Sequence, residues 1–292
     1  MKINRSTLLH LRIPFSLFLM PVYAFALSQY HLASLSASFG AWAILHLLVF
    51  PASNGYNSYF DRDTDSIGGL RRPPQVQKAL LWVSLAMDLL AVMLSFFLAL
   101  EFAVMVFVYG LASKAYSHPA IRLKKFPFLS AFTTTFFQGF AVYVGCLAAW
   151  GGFYEAVGRH LFAGLLSSVL ILGAYPLTQV YQHRADALRG DMTLSRRLGL
   201  RGTFMFSGLI FGLVAAGFGF YFYYYSRPVY FLAFVVCLLP VLGYFAYWVR
   251  LVWKDERAAN FDHTMRLNLI SALAMIAFFM GLWSWERFYQ PL

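Results

Sequence analysis

The chain has 292 residues, of which 60% are hydrophobic and only 12% are charged. Soluble domains carry about 25% charged residues, so this composition excludes an ordinary water-soluble protein and indicates a chain surrounded by lipid. The net charge of +11 would suggest nucleic-acid binding in a soluble protein, but here it indicates basic loops lying against anionic headgroups. We therefore expect the lipid bilayer as a partner and no nucleic acid.

A helix needs about 20 mostly apolar residues to cross a bilayer. The stretches that meet or approach this requirement are nine: 11–28, 34–54, 79–99, 102–117, 128–150, 161–181, 203–225, 229–249 and 266–286. We therefore predict an all-α polytopic membrane protein with nine transmembrane helices in one integral-membrane domain, residues 1–292. Acidic segments after the second and sixth spans suggest two four-helix halves, about 1–127 and 128–265, followed by a final helix at 266–286.

The first span resembles a secretory signal peptide. Lys2, Arg5 and Arg12 precede an apolar stretch, and residues 24–26 read Ala-Phe-Ala, as at a cleavage site. However, Pro14 and Pro21 interrupt the apolar run, and the second span follows after a very short loop. We therefore predict a retained transmembrane helix.

Lysine and arginine concentrate on one side of the predicted topology. With the N-terminus inside, 20 of the 23 lysines and arginines fall in inside segments, as expected for cytoplasmic loops. If one span were missed or wrongly predicted, every later loop would be assigned to the opposite side of the membrane. The lysines and arginines would then no longer concentrate on one side. We therefore expect a cytoplasmic N-terminus, an outside C-terminus, and a bacterial protein of this kind in the inner membrane.

Five of the 12 acidic residues lie in two short inside segments, the first of which follows span 2. There Asn57, Asp61 and Asp65 are spaced four residues apart, which places them on one face of a helix. Two such carboxylates repel each other unless a cation lies between them, and hard oxygen ligands favour Mg²⁺ or Ca²⁺. Because Mg²⁺ commonly binds through one or two carboxylates plus substrate phosphates, the segment predicts a magnesium-bound diphosphate. The alternative is a solvated loop with a helix-capping Asp.

The second acidic segment follows span 6, and Asp186 is its best candidate ligand. Asp191 follows Gly190 and either contributes to the site or caps the next helix. A basic loop after span 4 contains Arg122 and Lys124, whose side chains can pair with phosphate oxygens. The positive-inside rule alone would also place basic residues in this loop.

Asp88 is an ionisable residue inside span 3. Such residues usually face the bundle interior and carry a function or a buried partner. Asp88 therefore marks either an ion pathway, as in a transporter, or a hydrogen-bonded structural site, and we favour the structural interpretation.

Taken together, these residues resemble the UbiA superfamily of intramembrane prenyltransferases, which have nine transmembrane helices. The family's N-x-x-x-D-x-x-x-D motif after the second helix is matched by Asn57, Asp61 and Asp65. Its Y-x-x-P…R-x-K stretch after the fourth helix is matched by Tyr116, Pro119, Arg122 and Lys124. Its second acidic motif, D-x-x-x-D followed by G-x-x-T, is matched by Gln182, Asp186, Gly190 and Thr193, and an early L-R-x-P by Leu11, Arg12 and Pro14. The chain departs from the family at Gln182, where an uncharged amide replaces a carboxylate.

The resemblance implies transfer of a polyprenyl group from its diphosphate to a hydrophobic or aromatic acceptor, assisted by Mg²⁺, at the cytoplasmic face. It implies metal ligation by Asn57, Asp61, Asp65 and Asp186. It implies catalytic roles for Asp61, Asp65, Asp186 and Lys124. It implies substrate contacts by Arg12, Asn57, Tyr116, Arg122, Gln182 and Arg184.

Two other functions stay open. A transporter or channel would use Asp88 and the charged helix ends, but its charges are expected near the membrane midplane, whereas here they cluster at one face. A non-catalytic lipid-binding homologue is compatible with the missing carboxylate at Gln182.

Overall fold

The computed structural model describes residues 4–30, 33–155 and 157–289, so Lys2, one of the inside charges, lies outside the described residues. The helices are α1 (Arg5–Gln29), α2 (Leu35–Asp61), α3 (Ala79–Ser95), α4 (Leu100–Ser117), α5 (Pro127–Ala149), α6 (Arg159–Arg189), α7 (Leu194–Tyr225), α8 (Pro228–Lys254) and α9 (Phe261–Phe288). Over these ranges there is no β-strand, and one isolated bridge joins Ile67 to Leu70. The all-α fold with nine transmembrane helices is therefore confirmed.

Helix lengths separate α3 and α4 from the others. In the described part of the chain, seven helices are long and apolar enough to cross a membrane. The remaining two, α3 with 17 residues and α4 with 18, form a short hairpin. The observed α7 begins at Leu194 rather than at residue 203 because its first two turns are polar and bend at Gly199, where φ is +72°.

The helices form a ring around a central cavity. Each helix from α2 to α8 packs against the next one in the chain, and α1 closes the ring by contacting α2, α5 and α9. The α3 helix packs outside, against α2 and α4, and contributes no residue to the lining of the cavity. The first span is thus part of the bundle core. The division of the chain into two four-helix halves stays a prediction.

An aromatic cluster holds α1, α7, α8 and α9 together near the C-terminal end of α1. Phe25 stacks on Phe279 with 4.7 Å between ring centroids, and its ring meets the edge of Phe218 at 5.1 Å. Phe218 in turn lies 4.5 Å from Phe234, and all four rings are fully buried. Aromatic pairs of this kind contribute about 0.5–1.5 kcal/mol each beyond their buried area. The cluster occupies one end of the ring of helices, and the polar groups lie at the opposite end.

Three helices change their hydrogen-bonding pattern where they line the cavity. The chain is 3₁₀-helical over Ile13–Leu19 in α1 and over Pro176–Gln182 in α6, and it forms a π-helix over Phe136–Ala141 in α5. Pro14 and Pro176 lie at the starts of the two 3₁₀ segments, where a missing N–H favours a change of pattern. Irregular turns of this kind occur frequently at functional sites.

Asp88 forms an ion pair with Lys114 between α3 and α4. The Lys114 ammonium also lies 5.2 Å from the centre of the Tyr56 ring on α2. Both charged side chains are 19% exposed, and neither lines the cavity. The contacts of Asp88 are therefore those expected of a structural residue that ties α3 to α4.

Loss of one partner of this pair is expected to destabilise the bundle. Asp88→Ala leaves the Lys114 charge unpaired and should lower the free energy of unfolding by about 3 kcal/mol. Asp88→Leu combined with Lys114→Met removes both charges and should recover most of that loss. Melting temperatures in detergent test this, and a single variant that melts like the wild type would rule out the structural role.

Candidate active site

The ring encloses a cavity of about 490 Å³ that has a charged end and an apolar end. The charged end is lined by Arg12, Asn57, Asp61, Asp63, Lys124, Gln182, Asp186, Arg189 and Asp191. The apolar end is lined by residues of α7, α8 and α9, namely Phe211, Val214, Phe234, Leu238, Val241, Phe245 and Met275. The cavity therefore suits a molecule with an anionic head and an apolar tail.

Asn57 and Asp61 lie one turn apart on the last turns of α2 and face the cavity. The Lys124 ammonium forms an ion pair with Asp61 and donates to the Asn57 Oδ1 at 3.1 Å. Ser117 donates to the same Asn57 oxygen at 2.8 Å. Burial lowers the pKa of Lys124, an effect that the Asp61 carboxylate opposes. The structure thus brings two of the predicted ligands together with the predicted lysine.

The prediction that Asp65 shares this helix face is wrong. The helix ends at Asp61 because Arg62 adopts the left-handed conformation with φ +48°, and Asp65 is exposed and outside the cavity. Asp63 enters the cavity instead, with a side chain only 7% exposed. Burial raises the pKa of Asp63, and repulsion from Asp61 raises it further. A regular spacing of four residues could not reveal this break in the helix.

Arg189 joins the two acidic segments across the cavity. It lies on the last turn of α6 and donates from Nη2 to the Asp186 Oδ1 at 3.0 Å, while its Nη1 pairs with Asp63 on the opposite wall. Thr193 donates to the other Asp186 oxygen at 3.3 Å. Neither Asp63 nor Arg189 is among the site residues predicted from the sequence. The spacing of three residues between Asp186 and Arg189 on a helix was the signal that could have found the arginine.

Arg122 and Asp191 form a two-pronged ion pair beside the cavity. The Arg122 Nε and Nη2 each donate to one oxygen of Asp191 at 2.8 Å, and Nη2 also lies 3.6 Å from Asp61. The hydrogen bonds to Asp191 raise the pKa of Arg122. The residue at the N-cap of α7 is Thr193, so Asp191 belongs to the site rather than capping the next helix. Arg122 contacts the carboxylates and does not itself line the cavity.

Arg12 is a buried cation with a different set of partners. It adopts the left-handed conformation with φ +49°, and its guanidinium donates to the backbone carbonyls of Asn54 and Gly68, both at 3.2 Å. Within the described ranges it forms no ion pair, and its buried Nε has no hydrogen-bond partner. Its charge is therefore available to an anion in the cavity.

The remaining predicted residues divide into two groups. Tyr116 and Gln182 line the cavity, and the Tyr116 hydroxyl shares a hydrogen bond of 3.1 Å with the Tyr175 hydroxyl. Arg184 is exposed and lies outside the cavity, so the structure does not place it beside a bound phosphate. It points away because only one face of the last turns of α6 meets the cavity.

The charged end offers hard oxygen donors of the kind that Mg²⁺ prefers. The donors are the side chains of Asn57, Asp61, Asp63, Gln182 and Asp186. Among the described residues, however, no group of three or more Asp, Glu, His or Cys side chains converges closely enough to hold a metal ion. The donor set therefore fits an ion that brings substrate phosphates as further ligands, which is the usual way that Mg²⁺ binds.

Comparisons with known proteins agree with this architecture. The model of the UbiA prenyltransferase family matches residues 17–270, and no curated protein sequence matches the chain. A UbiA homolog from Archaeoglobus fulgidus bound to DMAPP and Mg²⁺ is 16% identical, with a TM-score of 0.71 over 96% of this chain and 99% of that one. The homolog from the same organism bound to GPP and Mg²⁺ is 17% identical, with a TM-score of 0.68 and the same coverage.

A structure of digeranylgeranylglyceryl phosphate synthase is 15% identical, with a TM-score of 0.62 over 96% of this chain and 98% of that one. At these identities the likeness to solved structures shows a shared fold. The family model adds to this because it matches most of the sequence. The chain is therefore an integral membrane protein that belongs to the UbiA prenyltransferase family.

Proposed function

We propose that this protein transfers a prenyl group from a polyprenyl diphosphate to a hydrophobic or aromatic acceptor. The observation that carries the proposal is the cavity, which combines buried cations and carboxylates at one end with an apolar wall at the other. The Archaeoglobus fulgidus homologs, which share the fold, bind DMAPP or GPP together with Mg²⁺. A diphosphate at the charged end and an isoprenoid tail at the apolar end follow from that division.

Arg12 and Lys124 would bind the diphosphate oxygens from opposite sides of the charged end. Arg12 has no carboxylate partner within the described ranges, and Lys124 is held in place by Asn57 and Asp61. Asn57 and Asp61 are the residues that would hold Mg²⁺, whereas Asp186 already accepts hydrogen bonds from Arg189 and Thr193. A bound Mg²⁺ neutralises the diphosphate and makes it a better leaving group. Asp63 stands close to this set, whereas Asp65 is not among the ligands that we propose.

When the bond between the prenyl carbon and the diphosphate oxygen breaks, the electron pair stays on the diphosphate and leaves an allylic cation. The rings of Tyr116, Phe137 and Tyr175 line the same cavity. Aromatic faces attract a desolvated cation by about 2 kcal/mol or more. Shielding by the surrounding helices would keep water from capturing the cation.

The acceptor would lie against a band of neutral polar side chains in the middle of the cavity. Ser113 donates to Ser53 at 2.7 Å, and Tyr116 and Tyr175 share a hydrogen bond. These groups suit an acceptor that carries a hydroxyl. We place the charged end at the cytoplasmic face, because 20 of the 23 lysines and arginines fall on that side in a topology with nine spans.

Neither alternative is favoured by a specific contact. Asp88, on which the transporter interpretation depends, is paired with Lys114 away from the cavity. A non-catalytic lipid-binding homologue would share the cavity, and the variants below distinguish it from an enzyme because they measure turnover.

Asp61→Asn is expected to lower prenyl transfer by about 100-fold or more, because groups that stabilise the leaving charge contribute several kcal/mol. Asp65→Asn makes the same chemical change at an exposed site outside the cavity and should lower the rate far less. The assay uses membranes with Mg²⁺ and a radiolabelled polyprenyl diphosphate, with an acceptor screen to detect product. Equal losses in the two variants, or full turnover in excess EDTA, would contradict the proposed site.

Arg12→Gln is expected to weaken binding of a polyprenyl diphosphate by about 10- to 100-fold, since a hydrogen bond to a charged group contributes about 1.5–3 kcal/mol. Arg5→Gln, an exposed arginine on the same helix, serves as the matched control. Isothermal titration in detergent measures both dissociation constants. Unchanged affinity in Arg12→Gln would remove Arg12 from the donor site.

Leu238→Trp is expected to select against long prenyl donors because the added ring fills the apolar end of the cavity. Overpacking costs about 1–3 kcal/mol, so kcat/KM for a C20 diphosphate should fall about tenfold or more while that for a C10 diphosphate changes little. Leu239→Trp is the control, since Leu239 is 57% exposed and lies outside the cavity. Equal effects on both donors would show that the tail lies elsewhere.

A further inference from the structure

Arg189 occupies the place between the two acidic segments. Its guanidinium pairs with Asp63 on one wall and with Asp186 on the other, and its Nε lies 3.6 Å from the Asp191 Oδ2. The three carboxylate side chains are between 3% and 7% exposed. A single, partly buried cation therefore contacts three carboxylates from two separate segments of the chain.

The carboxylates that the second acidic segment presents to the cavity are already paired with arginines. Gln182 contributes a neutral amide, and the two carboxylates are Asp186, paired with Arg189, and Asp191, paired with Arg122. Asp186 already accepts hydrogen bonds from Arg189 and Thr193. A divalent ion beside Asp186 would meet the Arg189 charge at close range, and the other carboxylate of this segment, Asp191, already accepts two hydrogen bonds from Arg122. The local charge thus opposes a metal ion on this side.

The first acidic segment is different. Asp61 and Asn57 present oxygens to the cavity, where Lys124 contacts both of them. Ser117 also donates to Asn57, and the Arg122 Nη2 lies 3.6 Å from Asp61. The ammonium of Lys124 is a compact charge on a flexible side chain, unlike the planar guanidinium of arginine. An ion arriving with phosphate ligands can therefore reach Asp61 when Lys124 turns toward the phosphate. The wall of the charged end that carries Asn57 and Asp61 is therefore better suited to bind a metal ion than the wall that carries Asp186.

We propose that the Arg189 guanidinium takes the place of a divalent ion on the Asp186 side of the site, so that this protein binds its prenyl diphosphate with a single ion at Asn57 and Asp61. This inference rests on the proposed function. Arg189 supplies a fixed positive charge and a planar set of N–H donors that match phosphate oxygens. Its buried Nε has no hydrogen-bond partner in the described part of the chain, and a phosphate oxygen would satisfy it. Asp186 then acts as a positioning residue that orients Arg189.

The test measures the number of ions bound per chain rather than the rate of turnover. Purified wild-type protein in detergent is titrated with Mn²⁺ in the presence of geranylgeranyl thiolodiphosphate, whose C–S bond resists cleavage. Free Mn²⁺ is measured by electron paramagnetic resonance. We expect one Mn²⁺ per chain for the wild type, and two per chain for Gln182→Asp combined with Arg189→Ala, which adds a carboxylate and removes the guanidinium.

Arg72→Ala is the matched control, because Arg72 is exposed in the loop between α2 and α3 and lies outside the cavity. It should bind one Mn²⁺ with unchanged affinity. Two ions per wild-type chain would overturn the inference, as would one ion in a double variant that still melts cooperatively and binds the analogue. If the double variant does not fold, the wild-type count alone decides.

The same titration separates this inference from the proposed function. A wild type that binds neither Mn²⁺ nor the diphosphate analogue would overturn the proposed function itself. A wild type that binds the analogue with two ions would leave the proposed function standing and remove only the role of Arg189.

Discussion

Mutual neutralisation of buried charges is the constraint on which this site depends. A lone charge inside a low-dielectric bundle costs several kcal/mol, so every carboxylate that enters the cavity requires a cation beside it. Asp61 has Lys124, Asp191 has Arg122, and Arg189 serves Asp63 and Asp186 together. This pairing draws the ends of α2, α4 and α6 toward one point. It also leaves Arg12 as a cation free to attract an anionic ligand.

This convergence is accompanied by strained backbone conformations at three arginines. Arg12, Arg62 and Arg122 all adopt positive φ angles near +50°, a region that residues other than glycine seldom occupy. Arg12 lies between two helical segments of α1, Arg62 follows the end of α2, and Arg122 precedes the 3₁₀ turn Leu123–Lys125. Such strain persists where surrounding contacts over-determine the backbone, and it clusters at functional sites. The three turns redirect the chain so that Asp63, Lys124 and the Arg12 guanidinium reach the same space.

The fold could be predicted from the sequence because lipid imposes a simple rule. Apolar stretches of about 20 residues must be helices, and the distribution of basic residues supported a count of nine. Much of the site could also be predicted, since Asn57 and Asp61 keep their helical spacing. Asp65 could not, because its placement assumed that α2 continues past Arg62. Arg189 was missed because its role depends on Asp63, a contact that joins residues 126 positions apart.

The short hairpin of α3 and α4 has a consequence for the surrounding bilayer. With 17 and 18 residues and a rise of 1.5 Å per residue, these helices span about 25–27 Å, less than the hydrocarbon thickness of about 30 Å. Lipids beside the hairpin must compress to match it, at a cost of a fraction of a kcal/mol per Å. Such local thinning of the bilayer beside the hairpin would favour thin membranes over thick ones. Because the thinning lies on one side of the bundle, it would also influence the orientation of the protein in the membrane.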